Sequence, residues 1–200
     1  MIFHAALVLQ LFVVLPSAAA DFRVKFDVET EAGLGSFIIK VHDDWAPIGA
    51  AHFKKLVEKK HYDDVRFFRV IPSFMVQFGI SGDPAVSKVA SKDTINDEAK
   101  VIKSNLPGYV TFAKTGAPNS RSTQIFINYA DNARLDGMGF APFGIVEGDG
   151  MKVVKQIHNC GEKPQQGRIQ SEGNAYLDKA FPKLSKVIKA RIINDEGSEL

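Results

Sequence analysis

Arg69 and Gln77 interrupt an otherwise apolar run, "FFRVIPSFMVQFG" from Phe67 to Gly79, which also holds four Phe, one Met, two Val and one Ile. Burying a permanent cation in such a run is costly unless the charge is paired or turned toward solvent. A guanidinium presents its N–H groups as a rigid, always-charged fork, so it suits a fixed donor rather than a proton shuttle. One reaction needs a fixed donor and no nucleophile: rotation about an Xaa-Pro bond. Its barrier, about 20 kcal/mol, is the loss of amide resonance, and no covalent bond breaks. A catalyst for it needs an apolar pocket for the pyrrolidine ring and a strand edge to hold the flanking backbone. It also needs a donor near the imide nitrogen, whose lone pair becomes basic as the bond twists. A group that meets charge only in the transition state raises rate rather than mere affinity. Phe74 and Met75 would floor such a pocket between Arg69 and Gln77.

Other chemistries lack their parts. "GISGD" (79–83) misses the second glycine of a nucleophile elbow, so Ser81 reads as a turn residue. "GMGFAPFG" (137–144) opens like a dinucleotide loop but places its third glycine out of register and follows no strand–helix crossover. His4, His42, His52, His61 and His158 form no metal-binding motif, so neither metal nor cofactor is expected. Asp43-Asp44 and Asp63-Asp64 read as solvated turns rather than a paired acid and base.

The elements that must position Arg69 are mostly strands. Alternation of apolar and polar residues predicts a hairpin from 22–30 and 36–42, turning at Gly33-Leu34-Gly35. Short strands are expected at 65–71, 75–80, 109–114, 124–129, 143–147 and 186–193. Along the first of these, Phe67, Arg69 and Ile71 would share one face. Helical spacing marks 46–60, with Pro47 in its first turn, and 150–158. The loop from Ser81 to Pro107 exceeds ordinary loop lengths. "EGNAYLDKAFPKL" (172–184) reads as an appended short helix. Many short strands with two good helices predict a mainly β chain, a closed antiparallel barrel with helices over its ends.

Two hundred residues suffice for one domain with a single core. The first twenty carry no Lys, Arg, Asp or Glu and end in Ala18-Ala19-Ala20, the pattern of a secretory leader cleaved after Ala20. The domain would then be 21–200, in the secretory pathway, secreted or in the endoplasmic reticulum lumen, free of the membrane and monomeric. A net charge of +2, spread over the chain, gives no nucleic-acid footprint. Cys160 is the single cysteine, so no internal disulfide can form; it is read as a free thiol or an intermolecular partner.

With these residues in view, "FFRVIPSFMVQFG", "VTFAKTGAPNSRSTQIFINY" (110–129) and "RLDGMGFAPFGIVEGDGMKVV" (134–154) resemble, in order, three signature segments of the cyclophilin-type peptidyl-prolyl isomerases. The resemblance spans about residues 22 to 193. It implies an eight-stranded antiparallel barrel capped by two helices, acting on proline-containing polypeptides. Position by position, Arg69 matches the catalytic arginine and Gln77 its supporting glutamine. Phe74, Met75, Phe126 and Leu135 match the proline pocket. Ala113, Lys114 and Thr115 match the strand whose backbone pairs with substrate, and Gln124 a groove residue. Lys114 replaces the usual asparagine. Arg134 stands where many members have a tryptophan whose ring N–H contacts cyclosporin, so weakened drug affinity is expected. The "GMGFAPFG" segment lacks the usual pocket histidine, and Phe140 is expected to fill that space. Two functional classes follow from these residues: an isomerase, or a proline-peptide binding or chaperone module on the same groove. A third, use of the barrel as a purely structural matrix or wall protein, requires no intact pocket.

Overall fold

The computed structural model describes residues 21–200. The expected leader, 1–20, and the exported location that rests on it lie outside the described residues. Strand β1 (Phe22–Thr30) pairs antiparallel with β2 (Gly33–Val41), Phe26 opposite Phe37. Val24, Phe26, Val28, Phe37, Ile39 and Val41 alternate into the core, as period two requires, and the Phe26 and Phe37 rings stack at 5.2 Å. The turn is not Gly33-Leu34-Gly35 but Glu31-Ala32, because Thr30 already pairs with Gly33. The Thr30 hydroxyl closes it locally, donating to the Gly33 carbonyl and accepting the Ala32 N–H.

The other strands are β3 (Arg69–Ile71), β4 (Met75–Phe78), β5 (Tyr109–Phe112), β6 (Ile125–Asn128), β7 (Pro142–Val146) and β8 (Lys186–Ile193). All pair antiparallel in one sheet of order β3-β4-β6-β5-β7-β2-β1-β8. These ladders make a curled half-barrel. Just ahead of β3, an isolated bridge, Arg66↔Lys186, reaches the first residue of β8. The strand expected over 65–71 is laddered only from Arg69, since Val65 to Phe68 are buried without alternation. Phe67 enters the main core with Val70, and Phe68 a second apolar cluster. Phe67 therefore does not share the face of Arg69 and Ile71.

Helix α1 (Pro47–Glu58) buries Ala50, Phe53, Leu56 and Val57 against the sheet. It has no side-chain cap of its own; instead the Glu98 carboxylate, from the long loop, accepts the Gly49 N–H at 2.8 Å. That loop contains α2 (Pro84–Ala90), whose N-cap Asp83 accepts the Ala85 N–H at 2.8 Å. Helix α3 (Gly150–Val154) is shorter than its predicted span. The segment expected as a short helix, 172–184, holds α5 (Asn174–Ala180), and a further helix, α4 (Gln166–Glu172), precedes it. Gly173 separates them at φ +63°, and a Cβ there would lie 2.1 Å from the Gly82 carbonyl oxygen. Ile169, Tyr176 and Leu177 seat this hairpin on Phe68 and Ile80. No helix among the described residues is long and apolar enough to cross a membrane.

Asp63 and Asp64 lie in a turn, Asp64 with its side chain largely exposed, and each also has an ion-pair partner, Arg191 for Asp63 and Arg66 for Asp64. His42 does meet acidic neighbours: its ligand atom and those of Asp21 and Asp44 lie within 4.8 Å of one another. Asp21 is engaged there by His42 at 2.8 Å and Lys40 at 3.6 Å. Cys160 is buried and its thiol is pushed up by burial, a setting that disfavours both thiolate reactivity and pairing between chains.

Candidate functional site

Strand register builds the site. Arg69 lies opposite Gln77, Gln77 opposite Phe126, and Phe126 opposite Thr111, one row across β3, β4, β6 and β5. The next row sets Ile71 opposite Met75. Val70, Val76, Phe78, Ile125 and Ile127, at the alternate positions, enter the main core. The other face of these strands therefore carries Arg69, Met75, Gln77 and Phe126 outward together. Met75, Phe126 and Leu135 form an apolar cluster separate from the main core, flanked by Ile71, Phe74, Ala113 and Phe140.

This cluster opens into a groove of about 390 Å³. Arg69 and Gln77 stand on it, with Phe74, Met75, Phe126 and Leu135 as apolar lining. Ala113, Lys114, Thr115 and Gln124 border it, and Phe140 joins them, its ring 5.9 Å from that of Phe126 and edge-on. Every residue expected to act in catalysis or substrate binding thus lines one hollow, whereas Arg134 stands outside its lining. Arg69 Nη1 donates to Gln77 Oε1 at 3.1 Å, and Gln77 Nε2 donates to Gln124 Oε1 at 2.8 Å. Arg69 Nε also donates to Glu162 Oε1 at 2.6 Å. The guanidinium is held on two sides, which fixes its plane and leaves N–H groups on Nη1 and Nη2 for another acceptor.

β5 ends at Phe112, one residue before the expected pairing strand. Ala113 N–H still reaches the Gln124 carbonyl at 2.9 Å, and Thr115 N–H bonds the Ser120 hydroxyl at 3.1 Å. The main chain of Lys114 makes no hydrogen bond among the described residues, so the edge has an open position there. An extended peptide could add as a strand at that point.

Sequence reasoning missed the buried amides that hold this rim. Leu135 lies on a 3₁₀ turn, Ala133–Met138. Asn132 Nδ2 donates to the Phe74 carbonyl at 2.9 Å and to Asn128 Oδ1 at 2.8 Å. Asn105 Nδ2 donates to the Phe140 carbonyl at 2.8 Å and to Asp136 Oδ1 at 2.7 Å. Burial pushes the Asp136 carboxyl up, but bonds from Ser104 and Asn105 outweigh it and hold the group below its usual value. Arg121, nearly fully buried, ties Asp97 of the long loop to the Gly139 carbonyl. Also missed were Ser91, Ser120, Ser122, Gln166 and Gln170 on the groove wall. The run of glutamines in "PQQGRIQ" was the available signal for the last two.

Comparison with known proteins agrees in outline. Residues 25–174 match the family described as cyclophilin type peptidyl-prolyl cis-trans isomerase/CLD. The peptidyl-prolyl cis-trans isomerase of Acinetobacter baylyi is 37% identical over 136 residues, 66% of this chain and 71% of that one. Peptidyl-prolyl cis-trans isomerase B of Escherichia coli is 36% identical over 130 residues, 62% of this chain and 78% of its own. Among solved structures, a cyclophilin type peptidyl-prolyl cis-trans isomerase from Cryptosporidium parvum superposes with a TM-score of 0.62 at 17% identity. The match covers 88% of this chain and 99% of that one, a likeness of fold.

Proposed function

The chain belongs to the cyclophilin-type peptidyl-prolyl cis-trans isomerases and is an isomerase of Xaa-Pro bonds; we propose that the groove beside Arg69 is where that rotation is catalysed. The proline ring seats on the apolar cluster of Met75, Phe126 and Leu135, with Phe74 and Phe140 as its walls. The flanking backbone adds along Ala113 to Thr115, using the open position at Lys114. As the imide twists, its nitrogen gains a lone pair, and the N–H groups left free on Arg69 stabilise it. Gln77, itself held by Gln124, is a positioning residue for that guanidinium. What carries the reading is the row Arg69–Gln77–Phe126, which sets a fixed cation at the rim of an apolar hollow separate from the main core. A further part of the reading is that the sheet acts as a closed barrel. The hydrogen bonds from Phe67 N–H to the Ser185 carbonyl (3.0 Å) and from Val187 N–H to the Val65 carbonyl (2.8 Å) support it.

The test is cis–trans exchange of a short Ala-Pro peptide, followed by NMR with the intact protein and with Arg69→Ala. Acceleration by the intact protein is expected, falling on the order of 100-fold in the variant, as for loss of a preorganised donor. Binding without acceleration by folded, intact protein would leave a proline-peptide binder and overturn the catalytic reading.

A further inference from the structure

Arg69 belongs to two hollows. Beside the proline groove, and sharing Arg69 and Gln166 with it, lies a second hollow of about 330 Å³ bordered also by Glu162, Pro164 and Gln165. Among the residues lining the two, Glu162 alone is acidic, against the cations of Arg69 and Lys114. Its place is set by the backbone: Val70 and Gly161 exchange both main-chain hydrogen bonds, at 3.0 and 3.1 Å, which fixes Glu162 beside Arg69. Arg69 engages Glu162 through one carboxylate oxygen only, Oε1, by both Nε and Nη2. The other oxygen, Oε2, accepts no hydrogen bond among the described residues, and the side chain is 62% exposed. The hollow thus offers an unengaged carboxylate oxygen, two side-chain amides and a proline face to whatever enters it.

We propose that this second hollow is a side-chain subsite, selecting substrates with Lys or Arg next to the isomerised proline. The inference rests on the isomerase reading of the groove. A cationic head would bond Glu162 Oε2 and the amide oxygens of Gln165 and Gln166, with its aliphatic stem along Pro164. Taking up part of the carboxylate's charge would also loosen its hold on Arg69, leaving that guanidinium more available to the imide. An acidic side chain would meet Glu162 as a like charge and compete with it for Arg69. Because Glu162 is largely solvated, the pair is a weak one, and the preference it can generate is roughly two- to fivefold in kcat/KM.

Peptides carrying Lys, Ala or Glu at the position before or after the proline decide the matter in the NMR exchange assay, run at low and at high salt. With intact protein the expected order is Lys above Ala above Glu at one of the two flanks, narrowing as salt is raised. Glu162→Gln is expected to erase the order, and Glu162→Lys to invert it. Equal rates across the series, or an order that survives Glu162→Gln, would overturn the subsite. If no peptide is turned over, the isomerase reading has failed instead. The same series then ranks by chemical-shift titration, where a Lys preference lost in Glu162→Gln supports the subsite and its absence rejects it.

Discussion

Two arginines converge on one ring at the groove edge. The Arg69 guanidinium lies 5.6 Å from the centre of the Phe74 ring and that of Arg134 4.8 Å from it. Arg134 Nη1 also donates to Asn132 Oδ1 at 3.0 Å, within the amide network that holds the Phe74 carbonyl. Each cation–ring contact at such an exposed site contributes about 0.5–1 kcal/mol. Arg134, expected from the resemblance to stand where many family members have a tryptophan, gives that edge a charge. Arg134→Trp should strengthen inhibition by cyclosporin about tenfold, the equivalent of one hydrogen bond with aromatic contact area. Turnover of a short Ala-Pro peptide should stay near that of the intact protein. Inhibition constants measured on both proteins check this, and equal values would sink it. Arg69, Phe74, Met75 and Gln77 were legible from their types within one apolar run, and the remaining site residues from the resemblance of three segments to a family pattern. Arg69, Gln77 and Phe126 fall on one row once β4 is placed between β3 and β6. Glu162 was not legible. It stands 93 positions from Arg69 and arrives through a bridge between a loop and a strand, which no local pattern announces.

Short elements hold their places by a few buried polar ties. The segment leading into β6 is one: His52, on α1, bonds the Ser122 carbonyl at 2.6 Å, and the Tyr62 hydroxyl donates to the Thr123 carbonyl at 3.1 Å. Gly79, at φ +111°, lets β4 pass so close that a Cβ would come within 2.4 Å of that Thr123 oxygen. The Gly79 carbonyl in turn accepts from His61 Nε2–H at 3.0 Å. For both histidines, burial lowers the affinity for a proton below the ordinary value of 6.5, against an opposing pull from the bonded carbonyl. As pH falls below 6.5, the unfolded chain takes up these protons before the folded one does. Their contribution to stability is thus complete above pH 6.5 and is lost as pH falls through the depressed folded values. The thermal midpoint should drop between pH 7.5 and 5.5, by roughly 2–4 °C for each kcal/mol lost. His61→Gln, which keeps a neutral donor toward Gly79, should show a shallower drop. Calorimetry across that range checks it, and identical slopes for the two proteins would remove His61 as a cause. The strands were legible from alternation. The helix hairpin was not: only α5 was expected, and α4 went unread because only the approach of Gly82 to Gly173 shows why the chain must turn between them.

At the scale of the whole molecule, the open question is set by the two ends of the sheet. β3 and β8 lie at opposite ends of the ladder order, yet Val65 to Phe67 run beside Ser185 to Val187. A sheet with free edges would expose unpaired N–H groups on both end strands, which native proteins pair, cover or blunt. Arg66 covers part of this seam, bonding Asp64 and Asp178 while itself nearly buried, and Asp178 belongs to α5. The appended hairpin therefore braces the seam as well as contributing Gln166 and Gln170 to the groove wall. If the seam closes the barrel, the amides of Phe67 and Val187 should exchange with solvent only through global opening, as slowly as those of Ile127 in the middle of the sheet. Arg66→Ala should speed exchange at Phe67 and Val187 first, at a cost of about 1–3 kcal/mol in stability from the broken buried bonds. Native-state hydrogen exchange resolves these amides one by one. Fast exchange at Phe67 and Val187 in the intact protein, with Ile127 still protected, would mean a sheet that stays open and a hairpin that shapes the groove alone.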